Sequence, residues 1–148
     1  MKKGSTIVES IVSLSIILIS VTIAIQISII TSKSIKLREE KEKANRVAYA
    51  IENEIKYNLT MNDVKNIFKD SSLNFKYRDD IIEFLSENSL LLLENGENII
   101  IEKLREETIE GKPIEEKYKI YVLKIKVLNS KRGIIVEREF IKSYWMDI

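Results

Sequence analysis

A long uncharged run dominates the N-terminal part of the chain. No charged residue occurs for 23 positions from Ser10 to Ser32, between Glu9 and Lys33. At about 1.5 Å per residue such a run forms a helix of roughly 35 Å, which is long enough to cross a bilayer. β-branched residues favour a strand in water, but strands are far shorter, and lipid requires the segment to satisfy its own backbone hydrogen bonds. The pattern therefore predicts a membrane-spanning helix over residues 5–32.

Small polar side chains interrupt the apolar background of this run. They are Ser10, Ser13, Ser15, Ser20, Thr22, Gln26, Ser28, Thr31 and Ser32. Such residues suit contact between helices better than contact with lipid alone. The segment is therefore expected to pack against other helices.

The helical pattern continues beyond the uncharged run. Six consecutive charges of mixed sign, residues 38–43, predict a solvated helical segment. Apolar residues then recur at spacings of one, three and four, which places them on one face of a helix. They are Ala44, Val47, Ala48, Ile51, Ile55 and Leu59. We expect one helix from Ser5 to about Tyr57, whose amphipathic continuation, residues 33–59, packs on the folded domain.

Residues 60–148 have the pattern of short elements in a small domain. A short helix is predicted over Asn62–Lys69. Leu73–Tyr77 and Asp80–Leu85 are candidate strands or irregular connections. Because so small a domain buries a limited fraction of its surface, the amphipathic helix is expected to form part of its core.

Two hairpins are predicted in the second half of the chain. Asn95-Gly96 is a strong two-residue hairpin signal between Ser89–Glu94 and Glu97–Glu102. Lys117–Leu128 is the longest predicted strand, and Ile134–Trp145 returns beside it. Alternation predicts one apolar face on the longer strand: Tyr121, Leu123, Ile125 and Val127. The expected fold is α+β, with a long N-terminal helix packed against an antiparallel sheet of about four strands.

Composition excludes most enzymatic chemistry. Cysteine and histidine are both absent, which removes disulfides, thiolate nucleophiles and the usual zinc ligands. The four glycines are isolated and form no phosphate-binding loop. With 24 basic and 23 acidic residues the chain also lacks a global basic signature. We therefore expect neither an enzyme nor a cofactor.

Acidic residues leave a calcium site open as a narrower alternative. The carboxylates cluster at Glu106, Glu107 and Glu110, and again at Asp79-Asp80. Their spacing matches no calcium-binding loop. Solvated acidic turns are the favoured interpretation.

A basic patch on the last hairpin leaves a second alternative, a groove for single-stranded nucleic acid. Its cations lie near Tyr144 and Trp145 and are Lys124, Lys126, Lys131, Arg132, Arg138 and Lys142. Glu137 and Glu139 dilute the patch. Direct contact with nucleic acid is therefore not expected, and the two aromatic residues suit a sheet edge or a subunit contact.

The first nine residues differ from an ordinary secretory signal. The basic start is typical of one, but the uncharged run exceeds the usual apolar region of about 7 to 15 residues, and no A-x-A-like site follows it. Glu9 also lies at its beginning. A carboxylate at the centre of a bilayer costs about 2.5 to 3.5 kcal/mol, and less near the interface, so Glu9 calls for an interfacial depth or a cationic partner.

These residues carry a resemblance. Lys2-Lys3-Gly4, then Ser5-Thr6-Ile7-Val8-Glu9 and the apolar run, resembles the N-terminal signature of type IV prepilins and pseudopilins. That signature is a short basic leader ending in Gly, then a first mature residue, with Glu at the fifth mature position. The resemblance implies that a prepilin peptidase removes the leader, residues 1–4, by cleavage between Gly4 and Ser5 and methylates the new amine of Ser5. It implies that Glu9 is the carboxylate for subunit assembly. The family's commonest first mature residue is Phe, where this chain has Ser5.

The resemblance also implies a function and a location. The chain would be a minor pilin or pseudopilin of a type IV pilus, a competence pseudopilus or a type II secretion pseudopilus. Its partners would be other pilins, the prepilin peptidase, a membrane platform protein, an assembly ATPase and the lipid bilayer. It would cross the cytoplasmic membrane once, with a cytoplasmic N-terminus and an extracytoplasmic C-terminal domain, before it enters a filament on the cell surface. The alternatives are a single-pass, membrane-anchored extracytoplasmic binding module and, as a weaker case, a membrane-associated enzyme.

Overall fold

The structure is a computed structural model that describes residues 3–68, 72–108, 111, 119–129 and 131–147, with side chains from Thr6 onward. The chain divides into two units, Met1–Glu39 and Glu40–Ile148. The first unit is helical throughout its described part. The second holds the rest of the helical segment, a four-stranded sheet and the hydrophobic core.

The first element is the long helix α1, Lys3–Asn53. It contains no proline, and Gly4 is its only glycine, so nothing in its sequence breaks the backbone hydrogen bonding. The predicted helix is confirmed, with one correction at its end. The α-helix stops at Asn53 and continues as a single π-helical turn over Glu54–Asn58, closed by a 3.2 Å bond from the Leu59 amide to the Glu54 carbonyl.

The amphipathic face of the helical segment forms part of the core. All six residues of the predicted stripe between Ala44 and Leu59 are buried, and they pack with apolar side chains from the sheet. The spacing therefore identified the packed face correctly, because apolar positions three or four residues apart lie on one side of a helix.

A short helix, α2, follows over Met61–Ile67. Thr60 and Asp63 form a capping box in which each side chain bonds the other residue's backbone amide. The hydrogen bonds from Thr60 hold the pKa of the Asp63 carboxyl below its ordinary value. The helix predicted over Asn62–Lys69 is confirmed up to Ile67; Lys69 lies outside the described residues.

The sheet has four antiparallel strands in the order β1-β2-β3-β4. The strands are β1 Leu73–Phe75, β2 Ile99–Thr108, β3 Lys119–Leu128 and β4 Ile134–Ser143. The expected number of strands and the expected apolar face of β3 are confirmed, since Tyr121, Leu123, Ile125 and Val127 are all buried. β4 ends at Ser143, and Tyr144–Met146 form a 3-10 turn instead of continuing the strand.

Two strand predictions between Asp80 and Glu94 are wrong. Asp80–Leu85 is not a strand: α3 runs over Ile81–Glu87 and buries Ile81 and Leu85, which lie one helical turn apart. Ser89–Glu94 is not a hairpin strand either. Leu90–Leu92 form a 3-10 turn that buries Leu90. The prediction failed because the periodicity of a short apolar run does not distinguish a strand from a buried turn.

Asn95-Gly96 is not a hairpin turn, and Gly96 serves a different purpose. Asn95 bridges Phe75 in β1, and the Gly96 amide donates to the Asn74 carbonyl at 3.2 Å. A Cβ at position 96 would lie 2.6 Å from the Lys76 backbone. Glycine is therefore required here for the close approach of two backbones.

Candidate functional site

The three residues predicted for processing and assembly all lie in the first turns of α1. Gly4 and Ser5 have helical backbone, and the Ser5 side chain lies outside the described part. Glu9 is one turn further along and is exposed. Residues four apart share a helix face, so positions 5 and 9 lie on the same side of α1.

The helix around and after Glu9 has an exposed apolar surface on every side. Each isoleucine, valine and leucine from Ile7 to Ile30 is between 51% and 66% exposed. The helix containing them has a most apolar window with a mean hydropathy of 2.3. A helix that is apolar all round requires an apolar environment. By length and composition it is able to cross a membrane, a property that signal sequences share.

Hydroxyl groups inside this apolar stretch are satisfied by the helix itself. Ser10, Ser15, Ser20 and Thr22 each donate to the carbonyl four residues earlier, at 2.8 to 2.9 Å. This arrangement leaves no donor of these four groups exposed to a low-dielectric environment. Residues that the sequence predicts to contact other helices therefore also bond within their own helix, since a carbonyl four residues earlier is present in any helix.

An ionic network around the buried Glu52 links the helix to the sheet. Glu52, on the helix, accepts hydrogen bonds from Lys56 at 2.6 Å and from Arg138 on β4 at 2.8 to 2.9 Å. Burial alone would raise the pKa of the Glu52 carboxyl, but the two hydrogen bonds and the two positive charges together hold it below its ordinary value. The Arg138 guanidinium also lies 5.6 Å from the centre of the Tyr49 ring.

A second buried charge ties the C-terminal residues to the end of the helical segment. Lys142 is fully buried, and its ammonium group lies 2.7 Å from both the Lys56 carbonyl and an Asp147 carboxylate oxygen. The other carboxylate oxygen of Asp147 accepts a 2.8 Å bond from the Met61 amide. The π-helical carbonyl of Lys56 therefore finds its donor in a side chain. The sequence could have indicated this arrangement. Arg138 and Lys142 are an even number of residues from the core residues Val136 and Phe140, so all four lie on the same face of β4.

The predicted basic patch is largely neutralised by carboxylates. Lys124 pairs with Glu137 at 2.6 Å and with Glu139 at 2.9 Å. The hydrogen bond from Lys124 holds the pKa of the Glu137 carboxyl below its ordinary value. The other paired cations are Lys126 with Glu102, Arg132 with Glu97, Arg138 with Glu52, and Lys142 with Asp147. Only Lys131 of the six has no ion pair among the described residues.

Three of the acidic residues named for the calcium alternative are paired with cations. Glu106 binds Lys119 at 2.8 Å, Glu107 binds Arg105, and Asp80 binds Arg78. The hydrogen bond from Arg78 holds the pKa of the Asp80 carboxyl below its ordinary value. Glu110 lies outside the described residues. Within the described ranges the structure contains no group of three or more acidic residues placed to hold a metal ion.

No family model, curated protein or solved structure matches the chain. The chain itself combines an α+β domain with one N-terminal helix that is long and apolar enough to span a membrane.

Proposed function

We propose that this chain is a minor pilin or pseudopilin, a structural subunit cleaved by a prepilin peptidase between Gly4 and Ser5. It then assembles through α1 into a type IV pilus, a competence pseudopilus or a type II secretion pseudopilus. The observation that carries the proposal is a combination at one end of one helix. A basic leader ends in Gly4, Glu9 follows at the fifth mature position, and the apolar residues beyond it are exposed on every side.

The apolar surface of α1 supports a two-stage life for the subunit. Before cleavage, Lys2 and Lys3 hold the N-terminus in the cytoplasm and the apolar residues face lipid. After cleavage, the same surface is covered by the helices of neighbouring subunits. Self-satisfied hydroxyl groups such as those of Ser15 and Ser20 suit both environments, since no donor has to be exposed when lipid is exchanged for protein.

Charge pairing supports the role proposed for Glu9. Cleavage creates a positive amine at Ser5, and in an apolar environment this amine and the Glu9 carboxylate each need an opposite charge. The exposed Glu9 side chain is accessible to the amine of a neighbouring subunit. Such a pair would set the axial position of one helix against the next and would penalise wrong registers.

The assembly step is tested by replacing Glu9 in the host that carries the filament system. Glu9→Ala should be cleaved like the unaltered chain, because it leaves Gly4 and Ser5 in place. The amount of this variant in sheared surface filaments should be at least tenfold lower than that of the unaltered chain, because the Ser5 amine of the neighbouring subunit then has no carboxylate partner.

Glu39→Ala is the matched control, since it removes another exposed carboxylate from α1 outside the apolar stretch. It should leave both cleavage and incorporation unchanged. Full incorporation of the Glu9→Ala subunit would contradict the assembly role. Absence of the unaltered chain from filaments would favour a membrane-anchored binding module.

A further inference from the structure

Two buried carboxylates near the end of the helical segment have opposite surroundings. Glu52 and Glu54 are each 6% exposed. Glu52 is paired with two cations, Lys56 and Arg138. Glu54 has only neutral donors: the side-chain amide of Asn58 and the Leu90 amide at 3.4 Å. Among the described residues no lysine or arginine pairs with Glu54, so its charge is buried without a counter-charge.

Glu54 lines an open cavity between the end of the helical segment, which includes the last turn of α1 and the π-helical turn, and α3. The cavity has a volume of about 290 Å³. Its apolar walls come from Ala50, Ile82 and Leu85, and Tyr57 lines it with a side chain that is 55% exposed. A buried acidic residue therefore forms part of the lining of an open space with apolar walls and an aromatic side chain.

We propose that this cavity is the docking site for an arginine side chain presented by a partner protein. The Glu54 carboxylate would receive the guanidinium, and the apolar walls would hold its aliphatic stem. The volume lies just below the range of about 300 to 1,000 Å³ typical of pockets for drug-sized ligands, and it suits one long side chain. Arginine anchors of this kind supply much of the binding energy at protein interfaces.

The chemistry of the cavity favours arginine over lysine. A guanidinium is planar, bonds a carboxylate through two nitrogens and stacks on an aromatic ring, whereas an ammonium is a compact and strongly hydrated charge. Tyr57 supplies an aromatic ring and Glu54 the carboxylate. The amide and hydroxyl oxygens of Asn53 and Ser86, which also line the cavity, can accept the remaining guanidinium hydrogens.

Energetics give the partner a reason to bind here. A buried carboxylate that accepts only from neutral donors lacks the ion pair that compensates best for its lost hydration. An arriving guanidinium would provide the missing charge. The inference does not depend on cleavage at Gly4, since any partner chain that presents an arginine would satisfy it.

The test uses the full chain in detergent micelles, with N-acetyl-argininamide as the probe and backbone amide NMR shifts as the readout. The probe should shift the amides of Ala50, Tyr57, Ile82 and Ser86 with a dissociation constant in the millimolar range, as expected for a single side chain. N-acetyl-citrullinamide, its neutral isostere, should shift none of them at matched ionic strength. Glu54→Gln should weaken probe binding at least tenfold.

A thermal melt of the same chain separates a binding role from a structural one. Glu54→Gln should raise the melting temperature by a few degrees, because it removes an uncompensated buried charge, whereas Glu52→Gln should lower it. Tyr57→Ala should weaken the probe without changing the melt. Tyr49→Ala removes an equally exposed tyrosine that lies against Arg138 and does not line the cavity, and this variant should bind the probe normally.

Three results would overturn the inference. The first is equal binding of the arginine and citrulline probes. The second is a Glu54→Gln chain that melts lower than the unaltered one, which would make Glu54 a structural acceptor for Asn58 and Leu90. The third is free arginine binding more than tenfold more tightly than the capped probe, which would make the cavity a site for a free metabolite.

Discussion

At the scale of single residues, the charged side chains on the buried side of β4 determine how the strand meets the helical segment. Arg138 and Lys142 lie on the same face of β4 as the core residues Val136 and Phe140. Arg138 donates to the Glu52 carboxylate, and Lys142 donates to the Lys56 carbonyl. Each partner lies 86 residues away in the sequence. Because such pairs are costly to break but selective for geometry, they favour one register of strand against helix.

The Glu52 network predicts a specific pH dependence of stability. The pKa of Glu52 is below its ordinary value of 4.5 in the folded chain, so the folded state holds fewer protons than the unfolded state. Its stabilising contribution is therefore complete above about pH 5 and is lost as the pH falls further. Glu52→Gln should lower the free energy of unfolding by about 2 kcal/mol at pH 7 and flatten the acid limb of the stability curve.

Chemical denaturation between pH 3 and 7 checks this prediction. Glu137→Gln is the control: it also removes a carboxylate bonded to a cation, but on the exposed face, where Lys124 keeps Glu139 as a second partner. The control should match the unaltered chain at neutral pH. An acid limb that remains equally steep in Glu52→Gln would show that other carboxyl groups produce it.

At the scale of elements, periodicity predicted the long ones and failed on two of the short ones. Sixteen residues of helical spacing or ten of alternation average over local exceptions, so the buried face between Ala44 and Leu59 and the apolar face of β3 could be predicted. Asp80–Leu85 and Leu90–Leu92 are too short for that, and tertiary packing decides their structure. Gly96 follows Asn95 as in a hairpin turn. Its actual role could not be predicted, because no sequence pattern reveals that the Lys76 backbone lies beside it.

The helical stripe predicts what happens to the sheet without it. A fragment of residues 60–148 lacks the buried helical residues between Ala44 and Leu59, which form the core together with the apolar side chains of the sheet. The lost burial should exceed the net stability of a domain this size, about 5–15 kcal/mol. We expect this fragment to aggregate when expressed, with no cooperative melting transition by circular dichroism.

A longer fragment is the matched control for that experiment. Residues 40–148 retain the whole compact unit and lack the exposed apolar part of α1, so this fragment should be soluble and should melt cooperatively. A soluble 60–148 fragment with its own cooperative transition would show that the helix is not part of the core.

At the scale of the whole molecule, the candidate site and its surroundings were accessible to sequence reasoning to different degrees. Gly4, Ser5 and Glu9 could be proposed from the sequence, because a processing site is a linear pattern. The cavity beside Glu54 could not, because its walls come from the end of α1, the π-helical turn and α3, and the sequence pattern predicted neither the π-helical turn nor α3. Which side chains surround Glu54, and that no cation pairs with it among the described residues, is determined by tertiary packing and cannot be deduced from the sequence.

The central claim is that this chain is a precursor processed between Gly4 and Ser5, and its intact mass tests that claim most directly. The chain is expressed with and without a prepilin peptidase, beside Gly4→Leu as the control that should resist cleavage. The account predicts a peptidase-dependent loss of Met1 to Gly4, with or without a methyl group on Ser5, in the unaltered chain alone. An unchanged mass in the presence of active peptidase, or equal cleavage of Gly4→Leu, would contradict it.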